Sequence, residues 1–139
     1  MSERYSRRIE LLPATAITAA GTFVSEARRV QQGLKYLSLQ GTFAYGSGGT
    51  TTKVYIQTTL DGGTTWRDIA CLAFALASLK KFSAVSAAIA LAAAQAVSDG
   101  ALADDTILSG LFGDQWRAKY VVVGTYANTT LQIDGVSQP

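Results

Sequence analysis

Residues 54–70 read VYIQTTLDGGTTWRDIA. Two apolar, β-rich runs flank Asp61, Gly62 and Gly63, and Asp-Gly between such runs is among the strongest short-range hairpin signals. Glycine reaches positive φ without a Cβ clash, and a short aspartate side chain bonds the backbone two residues on. Trp66 opens the return strand. The stretch commits the middle of the chain to antiparallel β structure while supplying no nucleophile, base or metal-ligand set.

A period of two recurs on both sides of this hairpin. Tyr36, Ser38, Gln40 and Thr42 share one face of a strand, and Leu37, Leu39, Gly41 and Phe43 share the other. Val54 and Ile56 oppose Tyr55 and Gln57, while Trp66, Asp68 and Ala70 alternate with Arg67, Ile69 and Cys71. Trp116, Ala118, Tyr120 and Val122 oppose Arg117, Lys119 and Val121, and Thr129 to Val136 makes a last strand. Ile9, Leu11 and Leu12 begin a first strand that Pro13 ends, and Gly46 to Gly49 form a loop. The expected fold is all-β: an antiparallel β-sandwich of jelly-roll-like order, built from about eight short strands. Trp66 and Trp116 are its natural fillers between the sheets. Residues 1–8 read as a polar, basic arm and residues 9–139 as a single domain.

Residues 70–97 admit two readings. Alanine content favours helix, and Val85, Ala88, Ile89, Ala92 and Ala96 give a helix an apolar stripe. Alternation through Phe74 and the surrounding β context favour strands, which is the reading adopted. A short helix in 84–97 or 106–112 stays open.

Charged residues make up only 16% of the 139 residues, against roughly 25% in ordinary soluble domains. The remaining polar surface is mostly Thr, Ser, Gly, Gln and Asn, which suits contact with other protein. Net charge is +2. The clusters Arg4, Arg7, Arg8 and Arg28, Arg29 are too short for a nucleic-acid stripe. They read as solvated or interface-rim arginines, with Arg4, Arg7 and Arg8 as the candidate partner-binding residues. MSERYSRRIELLP lacks the apolar centre of a signal peptide. Ser83 to Val97 is too weakly apolar for a membrane span, which needs about 20 strongly apolar residues.

Catalytic chemistry finds little footing. Histidine is absent and Cys71 is the lone cysteine. No zinc cluster can be assembled, no internal disulfide forms, and a lone thiol in an apolar run reads as a buried small hydrophobe. Asp61 is explained by the turn, so an Asp61/Asp68 carboxylate pair is a poor glycosidase. Asp104 and Asp105 read as turn caps rather than calcium ligands. Ser78 and Ser83 lie near Lys80 and Lys81 without a base geometry. The expectation is no enzyme, no cofactor and no metal.

Thr59 to Trp66, TLDGGTTW, resembles the Asp-box, S/T-x-D-x-G-x-T-W, of sialidases and other carbohydrate-active β-proteins. In that family the box is a structural hairpin, so the resemblance implies a turn held by Asp61, Gly62, Gly63 and Trp66. The wider pattern resembles small structural proteins of tailed bacteriophages. It comprises an LLPA start, a glycine-rich turn, YIQTTLDGGTTWRDIA, a Ser/Ala tract and GLFGDQWRAKYVVVGTYANTTL. That resemblance implies a virion part, a capsid decoration or cement protein, assembled in the bacterial cytoplasm on other virion proteins and self-associating. A neck or tail component is the first alternative. A carbohydrate-binding adhesin module is the second: an exposed Trp66 would favour it, and a buried Trp66 counts against it.

Overall fold

The computed structural model describes residues 6–29 and 33–139. In chain order its strands are β1 (Arg7–Ile17), β2 (Gly21–Val24), β3 (Arg28–Arg29), β4 (Tyr36–Ala44), β5 (Ser47–Gly48), β6 (Thr51–Thr59), β7 (Arg67–Phe74), β8 (Leu79–Ser86), β9 (Gln115–Val123), β10 (Tyr126–Ala127) and β11 (Thr129–Gln138). No helix forms among the described residues. The first sheet has the order β1-β11-β4-β8, the second β2-β9-β6-β7 with β3 also on β9, and β5 pairs β10. Every pairing is antiparallel. When the three two-residue strands are set aside and the rest renumbered in chain order, the sheets read 1-8-3-6 and 2-7-4-5.

The two sheets bury one core between them. Leu37, Leu39, Phe43, Val85, Leu131 and Ile133 of the first face Val54, Ile56, Leu72, Phe74, Trp116 and Ala118 of the second. Phe43 stacks on Phe74 with centroids 5.1 Å apart, and Tyr126 meets Phe43 edge-on. Gly41 sits where the sheets come closest: a Cβ there would lie 2.9 Å from Leu72 Cδ1 and 3.1 Å from Phe74 Cζ. The alternation expected at 36–43 and 116–122 is the alternation seen, because each strand has one face in this core.

Four expectations need correction. Pro13 does not end β1; it lies within it, between irregular pairings at Leu12 and Thr15. β1 is an edge strand, and an edge with a bulge tolerates a residue lacking its N–H. Arg7 and Arg8 belong to this strand, opposite Ser137 and Val136, so the expected arm boundary at 8/9 falls inside β1. Arg4 lies outside the described residues. Within 84–97 only the end of β8 is regular, and 87–97 is neither strand nor helix; 106–112 holds only an isolated bridge, Ala70 to Ile107.

The fourth correction matters most for the surface. β7 has a bulge: Ile56 pairs Ala70 and Gln57 pairs Asp68, which leaves Ile69 without a partner. One extra residue flips the faces. Ala70, Leu72 and Phe74 point into the core, whereas Asp68 turns outward beside Gln57. Trp116 fills the space between the sheets as expected. Trp66 does not; it is buried on the outer side, with the Arg117 guanidinium 4.3 Å above its ring.

Candidate functional site

The Asp61 turn is held by its own side chains. Thr59 Oγ1 donates to Asp61 Oδ1 at 2.9 Å and accepts the Gly63 N–H at 3.0 Å, while Thr65 N–H donates to Asp61 Oδ1 at 2.8 Å. The Thr65 backbone N–H, with its hydroxyl, holds Asp61 below the usual carboxylate range. Gly62 and Gly63 have φ of 73° and 100°, a region open to glycine. Trp66 Nε1–H donates to Gly63 O at 3.0 Å, and the residue is only 7% exposed. Asp61, Gly62, Gly63 and Trp66 therefore do come together, as parts of a closed turn.

Next to this turn, residues 98–106 lie as a strap across the outer face of the second sheet. Its anchor is Asp68, fully buried. The Asp68 carboxylate accepts bonds from Ser98 Oγ (2.8 Å), Gln57 Nε2 (2.8 Å) and the successive N–H groups of Gly100, Ala101 and Leu102 (2.9, 2.9 and 3.2 Å). Such a run of N–H groups forms an anion-binding nest, and here the chain's own carboxylate fills it. Asp99 lies alongside, accepting from Gln57 Nε2 at 2.7 Å and Lys119 Nζ at 2.9 Å. Burial pushes the Asp99 carboxyl up, but Lys119 and Gln57 outweigh it and leave the group lowered. Arg117 Nε donates to Gln57 Oε1 at 2.8 Å, and burial lowers the Arg117 guanidinium.

The strap then sews the open edge of β7. Cys71 N–H donates to Thr106 O, and Leu108 N–H to Ile69 O. Asp105 accepts the Ala73 N–H at 3.0 Å and pairs with Lys81 Nζ at 2.9 Å. Lys81 also donates to Ala73 O. Burial raises Asp105, and the Ala73 N–H with Lys81 outweighs it, so the group stays lowered. Asp104 pairs with Lys53 at 2.9 Å. Covering an edge strand removes a template for unwanted pairing. Tyr55 and Cys71 lie buried on this face, and burial pushes the Cys71 thiol up to about 11.

The outer face of the first sheet is different. It is tiled by Tyr36, Ser38, Gln40 and Thr42 of β4, Gln132, Asp134 and Val136 of β11, and Lys80, Phe82 and Ala84 of β8, in register across the strands. None of its residues is fully buried, and Phe82 is 71% exposed at mid-strand. Phe82 forms one wall of a depression of about 380 Å³ that Arg8, Ser38, Gln40, Asp134 and Val136 also line. Arg8 Nη2 donates to Asp134 Oδ1 at 2.8 Å, and Arg7 is exposed at the strand's start.

The polar side chains on the second sheet's covered face are bonded to one another and to the strap's backbone. Among the described residues no three Asp, Glu, Cys or His side chains converge as a metal site. Asp61 serves its turn and Asp68 its nest, and Asp104 and Asp105 turn to different lysines. The network of Gln57, Asp68, Asp99, Arg117 and Lys119 was missed from sequence. Its one signal was a glutamine and an aspartate facing each other across otherwise apolar strands, readable only once the bulge at Ile69 is known. Comparisons with protein-family models, curated proteins and solved structures return no match.

Proposed function

We propose that the protein is a non-enzymatic structural subunit of a tailed-bacteriophage particle, a capsid decoration or cement protein assembled in the bacterial cytoplasm. It would act by burying its surface against other virion proteins. The observation that carries this reading is the contrast between the faces: the convergent polar groups hold the strap in place, and the bare first sheet offers contact area. The strand orders support reading the sandwich as a jelly roll, an architecture shared by viral capsid and lectin domains, which is an analogy of fold. The phage-like sequence pattern supplies the address, and a neck or tail position would use the same surfaces. Trp66, buried beneath Arg117 with its N–H already bonded, counts against a sugar-stacking module.

The test is incorporation. Particles purified on a density gradient should carry this chain in stoichiometric amount. Particles made without its gene should release their genome at a lower temperature. Its absence from gradient-purified particles would refute the proposal.

A further inference from the structure

We infer that the strap, residues 98–106, is a latch that releases as a unit from an intact sandwich and thereby uncovers the edge of β7. This release does not depend on the particle reading above.

The strap adds contacts to the body but nothing to its core. No residue from Ala87 to Thr106 is buried, and none belongs to the cluster between the sheets. Segments with few buried apolar contacts open at a fraction of the global cost. Hydrogen bonds hold the strap, and each is worth little net once water can replace the partner. The ion pairs that must part are Asp99 with Lys119, Asp104 with Lys53 and Asp105 with Lys81. Each has a half-exposed carboxylate, and such pairs hold weakly.

The bonds are arranged to go together. The Asp68 carboxylate gathers Ser98 Oγ and the N–H groups of Gly100, Ala101 and Leu102. Lifting this short run breaks them all at once. Water then reaches the carboxylate, which keeps its bond from Gln57, so release strands no charge. The chain before the strap has slack: Ala88 to Val97 lies outside any strand and, Leu91 apart, is exposed.

Beneath the strap lies an edge. The Asp68, Cys71 and Ala73 N–H groups of β7 donate to Ser98 O, Thr106 O and Asp105 Oδ1. Released, they form a row of free donors, which is a template for pairing with another strand. The latch thus sets when this edge is available.

Cys71 is the one thiol in the chain. It is 1% exposed beneath the strap, with its thiol pushed up to about 11 by burial, so its alkylation reports release. Iodoacetamide labelling of the folded full chain, followed by mass, tests the latch. Labelling should outpace global unfolding measured in urea and depend less steeply on urea. Ser98→Ala removes one bond to Asp68 and should speed labelling about 10-fold. Ile133→Val weakens the core from the first sheet and should leave the labelling rate unchanged. Labelling that follows the global urea transition would overturn the inference. So would a rate that Ser98→Ala leaves unmoved, or one that Ile133→Val quickens as much as Ser98→Ala does.

Discussion

The two outer faces of the sandwich have opposite fates. The second sheet turns Gln57, Asp68, Arg117 and Lys119 outward, and the strap covers them until Asp68 is fully buried. The first sheet turns out Tyr36, Ser38, Gln40, Thr42, Lys80, Phe82, Gln132, Asp134 and Val136, and Phe82 is left 71% exposed. Buried polar groups must be paired, and a filled network is rigid. A bare sheet face with an exposed aromatic on its edge strand β8 has no such demand. One chain thus holds a face closed by its own hydrogen bonds and a face that the described residues leave uncovered.

The largest effect should come from unfastening the covered face. Asp68→Ala strands the Gly100, Ala101 and Leu102 N–H groups together with Gln57 and Ser98. A loss of about 3–5 kcal/mol is expected in urea unfolding. Amide exchange at 98–106 should rise far more than in β4 or β11. A loss below about 1 kcal/mol would mean that the strap is not held by this carboxylate.

Acid should open the same face. Asp99 and Asp105 both have lowered values in the fold. Their contribution is therefore full above the ordinary aspartate range near 4 and is lost as pH falls through the lowered values. Exchange at strap amides, followed from pH 6 to pH 2, should rise at the acid end ahead of exchange in the first sheet. Lys119→Met should move that rise to higher pH, and an unmoved rise would remove Lys119 from the account.

A smaller loss is expected at the turn. Thr59→Val removes the acceptor for Gly63 N–H and the donor to Asp61, for about 1–2 kcal/mol by urea unfolding. A neutral result would show the turn to be set by Gly62 and Gly63 alone. Smallest of all is the bare face. Phe82→Ser should change the stability of the dilute chain by no more than about 0.5 kcal/mol. A loss of several kcal/mol would show Phe82 to be packed within its own chain and would erase the contrast.

How much of this was legible depends on what each residue has to satisfy. Leu37 to Phe43 and Trp116 to Val122 have one face in the core, so a period of two reveals them. The Asp61 turn is local chemistry and is legible for the same reason. The bulge at Ile69 is not, because alternation through Trp66, Asp68 and Ala70 looks continuous in the sequence. The fate of 87–97 was hidden as well. Alanine favours helix, but a short helix with little apolar area to bury is marginal in water. The chain is also fixed at both ends, where Ala87 N–H donates to Lys35 O and Ser98 O accepts the Asp68 N–H. Arg7 and Arg8 read as an arm by charge, yet backbone pairing with β11 places them in the sheet.

Hydroxyl-radical footprinting of the chain, dilute and then assembled on particles, tests the contrast most directly. Phe82 and Tyr36 should be oxidised readily in the dilute chain and protected on assembly, with Trp66 and Tyr55 shielded in both states. Protection appearing instead on the strap side, with Phe82 as reactive as before, would contradict the account.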